Sequence, residues 1–164
     1  MKIGIGLNTG MACVGNLGSD QRFSYSCLGD SVNLASRVEG MTKLYDVAIL
    51  LTEEVVRQAP GFVFAEVDRV RVVGRRAAVR LYTLLGRESD PAVSDLAPIL
   101  ARHEAFLDLW QTGDLDACRR MVEALLSLAP NPLSGTHRLY RSRLETLPET
   151  APDNWDGVFT AGSK

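Results

Sequence analysis

Residues 12–40 read ACVGNLGSDQRFSYSCLGDSVNLASRVEG, and one boundary inside them decides the fold class. Up to Leu28 polar and apolar residues alternate; after Gly29-Asp30 the spacing becomes helical. Residues 11–17 (MACVGNL) and 22–28 (RFSYSCL) are expected strands, separated by the turn Gly18-Ser19-Asp20-Gln21. The run SVNLASRVEGMTKLY that follows carries apolar or small residues at Val32, Ala35, Val38, Met41 and Tyr45, the spacing of one helix face. Asp30 is the expected N-cap, its carboxylate accepting from free backbone N–H groups of the first turn. Strand period passing into helix period within one short stretch points to an α/β fold.

Working outward, residues 2–8 (KIGIGLN) form a further expected strand, joined through Thr9-Gly10 to 11–17 as a hairpin. Residues 47–51 (VAILL) read as a buried strand, and Thr52-Glu53-Glu54 opens a short helix that Pro60-Gly61 stops. Two β-rich runs, 62–73 and 77–85, meet at the turn Gly74-Arg75-Arg76. Residues 87–98 carry two prolines and polar side chains, and are expected to link residues 1–86 to a tail, 99–164. In that tail, 99–111, 114–128 and 133–146 have helical patterns, punctuated by Thr112-Gly113 and Pro130-Asn131-Pro132. The first two resemble one tetratricopeptide-like hairpin. A lone hairpin makes no solenoid, so the tail should pack on the β-rich part or on a partner.

The chain has 164 residues with 18 Lys+Arg against 20 Asp+Glu, a formal charge of −2. That balance gives no basic footprint and argues against a nucleic-acid partner. Apolar residues at 46% and charged residues at 23% are globular proportions, which exclude disorder over the whole length. Cys13, Cys27 and Cys118 are widely spaced and far from His103 and His137, so neither a disulfide framework nor a zinc site is expected. The cysteines read as small apolar fillers in a reducing cytoplasm. No apolar run approaches the roughly 18 residues that span a bilayer, so no direct membrane contact is expected. Met1-Lys2-Ile3-Gly4 reads as strand from the first residue, as if the chain began inside a fold.

Three groups of residues could carry chemistry. Gly4, Gly6, Gly10, Gly15 and Gly18 suggest phosphate binding, but the dinucleotide fingerprint and the Walker A loop both fail on spacing. Small residues that let another backbone approach are the better reading. Asn33 and Arg37 lie four apart and so share a helix face. An amide beside a guanidinium can orient a hydroxyl and neutralise a phosphoryl oxygen; the alternative is a solvated face. Arg69, Arg71, Arg75, Arg76 and Arg80 suggest either an anion site or a charged edge strand that resists aggregation.

Taken together, KIGIGLNTG, the 12–40 stretch and VDRVRVVGRRAAVRLYTLLG resemble the C-terminal part of a class III adenylate/guanylate cyclase catalytic domain, over about residues 2–86. Residues beyond 86, ending in PDNWDGVFTAGSK, are similar to tails behind bacterial adenylate cyclase domains. The resemblance implies an α+β sandwich of ferredoxin-like-related cyclase type, incomplete here, followed by an all-α tail. It implies cyclisation of ATP to 3′,5′-cyclic AMP and pyrophosphate, in a homodimer, with Mg²⁺ or Mn²⁺ in the intact parent domain. By the N-x-x-x-R match, Asn33 orients the ribose and Arg37 stabilises transition-state charge. Ser26, seven residues before Asn33, holds the purine-reading position; serine there permits adenine, so ATP is expected over GTP. Cys27 faces the other way along a strand and is not a guanine mark.

This sequence departs from the family pattern in two places. Both metal-binding aspartates belong to the first half of the family domain, before KIGIGLNTG; Asp20, Asp30, Asp46 and Asp68 do not sit in those motifs. The position of the usual phosphate-binding lysine is Val73, with Arg75 two residues on as the substitute anion contact. The expectation is a cyclase fragment inactive alone. The alternatives are a catalytically dead nucleotide-binding or regulatory module, and a helical interaction domain. Any membrane attachment would come from an upstream sensor region of the parent.

Overall fold

A computed structural model describes residues 3–16, 24–72 and 77–160. The chain order is β1 (Ile5–Leu7), β2 (Cys13–Asn16), β3 (Tyr25–Leu28), α1 (Asp30–Tyr45), β4 (Ile49–Thr52), α2 (Glu53–Gln58), β5 (Phe62–Arg71), β6 (Val79–Arg87), α3 (Pro91–Ser94), α4 (Ala97–Thr112), α5 (Leu115–Leu126), α6 (Ser134–Thr146) and β7 (Phe159–Thr160). Among the described residues one sheet runs β1-β4-β6-β5-β7 and a second ribbon pairs β2 with β3. The mixed α/β class is as the change of period implies.

The hairpin expected at the start does not form. β1 pairs parallel with β4, Gly6 opposite Leu50, and β2 pairs antiparallel with β3 instead. The crossover between β1 and β4 contains α1, which lies directly on β1. A Cβ at Gly6 would collide with the Ala35 carbonyl oxygen and the Glu39 backbone, so the glycine is there for close backbone approach. Thr9-Gly10 therefore leads away from the sheet rather than folding back on it.

Two helix starts also differ from expectation. Gly29, at φ 153°, is the N-cap of α1, and Asp30 is its first helical residue. An extended strand turning at once into a helix needs that backbone, which glycine adopts without strain. Thr52 precedes α2 without capping it, because its hydroxyl donates to Asn8 Oδ1 at 2.8 Å. The buried face of α1 is Leu34, Val38, Thr42 and Tyr45 rather than the stripe through Val32 and Ala35.

Strand β5 carries a bulge between Glu66 and Asp68. Regular alternation would put residues 66 and 68 on one face. The extra residue reverses the phase, so Val67 and Asp68 are both buried while Glu66 faces Arg69 at 3.0 Å. Arg69 sits directly opposite Arg80, a repulsive pairing that Glu66 between them and Glu53 beside Arg80 neutralise. Arg71 pairs with Asp156 at 2.9 Å. Neither reading of the arginine cluster holds for Arg69, Arg71 and Arg80: each is committed to a protein carboxylate, and β5 lies inside the sheet between β6 and β7. Val73, Gly74, Arg75 and Arg76 lie outside the described residues, as do Gly18, Asp20 and the turn around them.

Residues 87–98 hold α3 and the start of α4, with Val93 buried, rather than an extended connector. The tail is not wholly helical, since its end returns to the sheet as β7, pairing Phe159 with Val70. Leu133 of the tail joins Leu34, Val38, Tyr45, Leu50, Val67 and Val70 in one core. A second core of Phe106, Trp110, Leu115, Cys118, Val122 and Leu125 fills the space among α4, α5 and α6. Cys118 is thus an apolar filler; Cys13 and Cys27 are exposed instead.

A buried polar chain joins the tail to β5. His103 Nε2 meets the Glu66 carbonyl oxygen at 2.6 Å, His103 Nδ1 meets His137 Nε2 at 3.0 Å, and Asn131 Nδ2 meets His137 Nδ1 at 3.1 Å. A carbonyl only accepts, so His103 carries its proton on Nε2, and His137 must then donate from its own Nε2. Both imidazoles are satisfied as neutral rings. Burial lowers the pKa of His103, and burial with the neighbouring His103 takes His137 to about 3.

Gly6→Ala should destabilise the chain by about 1–3 kcal/mol in urea unfolding. Gly15→Ala, where an added Cβ meets nothing within 4 Å, should stay within about 0.5 kcal/mol. Equal effects would remove the close-approach argument. The histidines also set a pH dependence. Depressed folded pKa values leave their stabilisation complete above the unfolded value of about 6.5 and lost progressively as pH falls below it. With its folded pKa at about 3, His137 contributes a slope of about 1.4 kcal/mol per pH unit below the unfolded value, so His137→Gln should flatten stability against pH between about 6 and 4.5 by that amount. An unchanged slope would mean that His137 titrates normally in the fold.

Candidate active site

β3 and α1 are consecutive, separated by Gly29 alone, so the residues marked in the sequence are placed by one strand-to-helix turn. Ser26 lies on β3 opposite Gly15 and is exposed. Cys27, opposite Val14, points the other way, as period 2 requires. Asn33 and Arg37 stand one turn apart on α1, both exposed, while Leu34 and Val38 beside them are buried at 4% and 0% exposure. The apolar face thus fixes the roll of the helix and presents the amide and guanidinium together on its outer side.

Three contacts hold α1 in place, and of these only the glycine is marked in the sequence. Asn8 Nδ2 donates to the Ser31 carbonyl at 3.0 Å while its Oδ1 accepts from Thr52, tying the first turn of α1 to β1 and β4. Gly6 sits under the middle of the helix. At the far end, Tyr45 donates to Asp68 Oδ2 at 2.7 Å. The same carboxylate accepts from Tyr140 at 3.1 Å, from the Arg69 backbone N–H at 2.7 Å and from Arg143 at 2.6 Å. Burial, with the Asp68 charge added, pushes both tyrosine hydroxyls well above the usual phenol range, so both remain donors. The sequence carries one signal of this: Asp68 and Arg69 stand side by side between Val67 and Val70 and break the alternation of residues 65–72.

A divalent metal has no fitting site here. Among the described residues no group of three or more His, Cys, Asp or Glu side chains could hold an ion. Asp68, the one fully buried carboxylate among the described residues, is taken up by its four donors. Arg75, the expected second anion contact, lies outside the described residues. Around β1 and the β2–β3 ribbon, large apolar side chains face outward: Ile3, Ile5, Leu7, Val14, Tyr25 and Leu28. Val14 and Tyr25 share one face of the ribbon and Leu28 lies on the other, so apolar side chains are exposed on both of its faces. No helix among the described residues is long and apolar enough to cross a membrane.

Residues 1–86 match the family described as the adenylate and guanylate cyclase catalytic domain. The terminal-differentiation-specific adenylate cyclase of Dictyostelium discoideum is 32% identical over 136 residues, 80% of this chain and 6% of that protein. Adenylate cyclase 1 of Rhizobium meliloti is 39% identical over 82 residues, 49% of this chain and 12% of that protein. Among solved structures, the adenylyl cyclase CyaB from P. aeruginosa is 30% identical, with a TM-score of 0.44, over 52% of this chain and 43% of that one. The chain thus spans only a small part of the curated relatives it matches.

Exposed side chains on a helix flank contribute little to folding. Asn33→Ala and Arg37→Ala should each change stability by no more than about 0.5 kcal/mol. Leu34→Ala, between them in sequence, should cost about 2–5 kcal/mol in the same urea titration. A large loss at Arg37 would make it a structural residue.

Proposed function

The chain belongs to the adenylate and guanylate cyclase catalytic domain family, and on that premise we propose that it supplies the transition-state face of an adenylate cyclase. The observation that carries this reading is the exposed pair Asn33 and Arg37, one turn apart on a helix whose opposite face is buried. In the cyclisation, the ribose 3′-oxygen bonds to the α-phosphorus as the bond to pyrophosphate breaks. The Asn33 amide hydrogen-bonds the ribose and holds the 3′-oxygen in line. The Arg37 guanidinium donates to the phosphoryl oxygens, where charge grows only as the reaction proceeds. Ser26 pairs with the purine edge from β3 and favours ATP over GTP. Arg75 supplies a second cation toward the triphosphate.

Mg²⁺ or Mn²⁺ finds no ligand set among the described residues, so we assign metal binding to a metal-bearing cyclase half set beside this chain. The outward apolar residues of β1 and the β2–β3 ribbon fit the surface that such a half, and a second copy in a homodimer, would cover. Exposed free Cys13 and Cys27 suit a cytoplasmic setting.

The test is cyclic AMP formation from ATP with Mn²⁺. The chain alone should give none above a blank. Recombined with the metal-bearing half of the Rhizobium adenylate cyclase, it should turn over ATP in preference to GTP. Arg37→Ala should then lower kcat on the order of 100-fold or more with little change in KM. Turnover by the chain alone that Arg37→Ala abolishes, or an effect confined to KM, would contradict the assignment.

A further inference from the structure

We infer that the tail is a brace for the catalytic helix, and that Tyr45, Asp68, Gly135 and Arg143 are positioning residues for Asn33 and Arg37; this rests on the function proposed above. The last turn of α1 is gripped by α6 at three points. Tyr45 and Arg143 both donate to one oxygen, Asp68 Oδ2, at 2.7 and 2.6 Å. Arg138 reaches Asp46 at 3.1 Å, just where the chain leaves α1 in a left-handed turn at φ 52°. Gly135 lies so close that an added Cβ would stand 2.5 Å from the Tyr45 carbonyl oxygen. Arg143 in turn stacks over Phe159 of β7 at 4.0 Å, so the end of the chain holds the arginine that holds the helix.

The grip matters because it acts through a rigid element. Asn33 and Arg37 lie 12 and 8 residues before Tyr45, about 18 and 12 Å along the axis at 1.5 Å per residue. Their head groups stand about 5–6 Å or more from that axis. A roll of 10° at the clamp displaces them by about 1 Å, and a 1 Å misplacement can cost on the order of 100-fold in rate. Gly6 beneath the middle of the helix leaves no slack to absorb the motion locally. None of the bracing residues is placed to touch substrate; each acts through the pose of α1.

Two variants disturb the clamp while leaving the cores filled. Tyr45→Phe deletes one donor and keeps the ring; Gly135→Ala wedges α6 away from α1. Val122→Ala, in the tail core and remote from α1, serves as the stability control. In the full chain, hydrogen exchange of the α1 amides should quicken about tenfold in Tyr45→Phe and not in Val122→Ala. In the recombined cyclase, Gly135→Ala should lower kcat about tenfold with KM within twofold. Val122→Ala, compared at equal thermal destabilisation, should leave kcat within twofold. If kcat follows stability alone in all three variants, or if α1 exchange is unchanged in Tyr45→Phe, the brace is overturned. Activity absent from the unaltered recombined chain would overturn the function instead, and the exchange result would still decide the brace.

Discussion

The structure depends on one buried carboxylate. Asp68 is 1% exposed and accepts from two tyrosines, one arginine and one backbone N–H, drawn from α1, α6 and its own strand. An isolated carboxylate in such a place would be untenable, and the opposing guanidinium with three further donors makes it tolerable. Such a site adds little net stability compared with apolar packing of the same volume, but removing one partner of a buried pair typically costs about 3–5 kcal/mol. Its effect is therefore on specificity: any arrangement that leaves α6 or α1 elsewhere strands a charge. The bulge in β5 is what points Asp68 inward, so a single extra residue in the ladder places the node.

From that node the rest follows in sequence. Tyr140 joins it from the tail core, where it packs edge-on to Phe106 at 5.0 Å and Trp110 at 4.8 Å. Trp110 donates to the Gly157 carbonyl, and Trp155 donates back to Trp110, which draws the end of the chain onto β5 as β7. The histidine chain forms a second tie between α4, α6 and β5. Tail and cyclase portion share Leu133 in one core and both ties across it. What the tail stabilises most directly is the end of the helix that carries Asn33 and Arg37.

Local chemistry was legible in the sequence and distant pairing was not. The strand-to-helix change at Gly29-Asp30 and the placing of Asn33 and Arg37 one turn apart on a helix depend on neighbours within a few residues, and the backbone has both. The small residue at Gly6 signals a close backbone approach, and the structure has one there. Its partner, α1, lies across a parallel crossover, so Thr9-Gly10 suggested a hairpin that does not form. The arginines of β5 and β6 left an anion site and a charged edge strand both open, because apart from Glu66 their partners are out of local view: Gln111 and Asp156 in the tail, Glu53 at the start of α2. Asp68 was noticed only as an acid outside the metal motifs. Its partners Tyr140 and Arg143 lie 72 and 75 residues away, and no spacing rule reaches that far.

On the proposed function Arg37 supplies charge directly and the Asp68 node supplies only its placement. Chemical rescue separates those roles. In the recombined cyclase, added guanidinium should restore turnover to Arg37→Ala in a saturable manner, because the vacated site accepts a small planar cation. The same addition should leave the loss in Gly135→Ala untouched, since that variant keeps its arginine and misplaces it. An Arg37→Ala enzyme that guanidinium cannot rescue, alongside a Gly135→Ala enzyme that it can, would contradict the account.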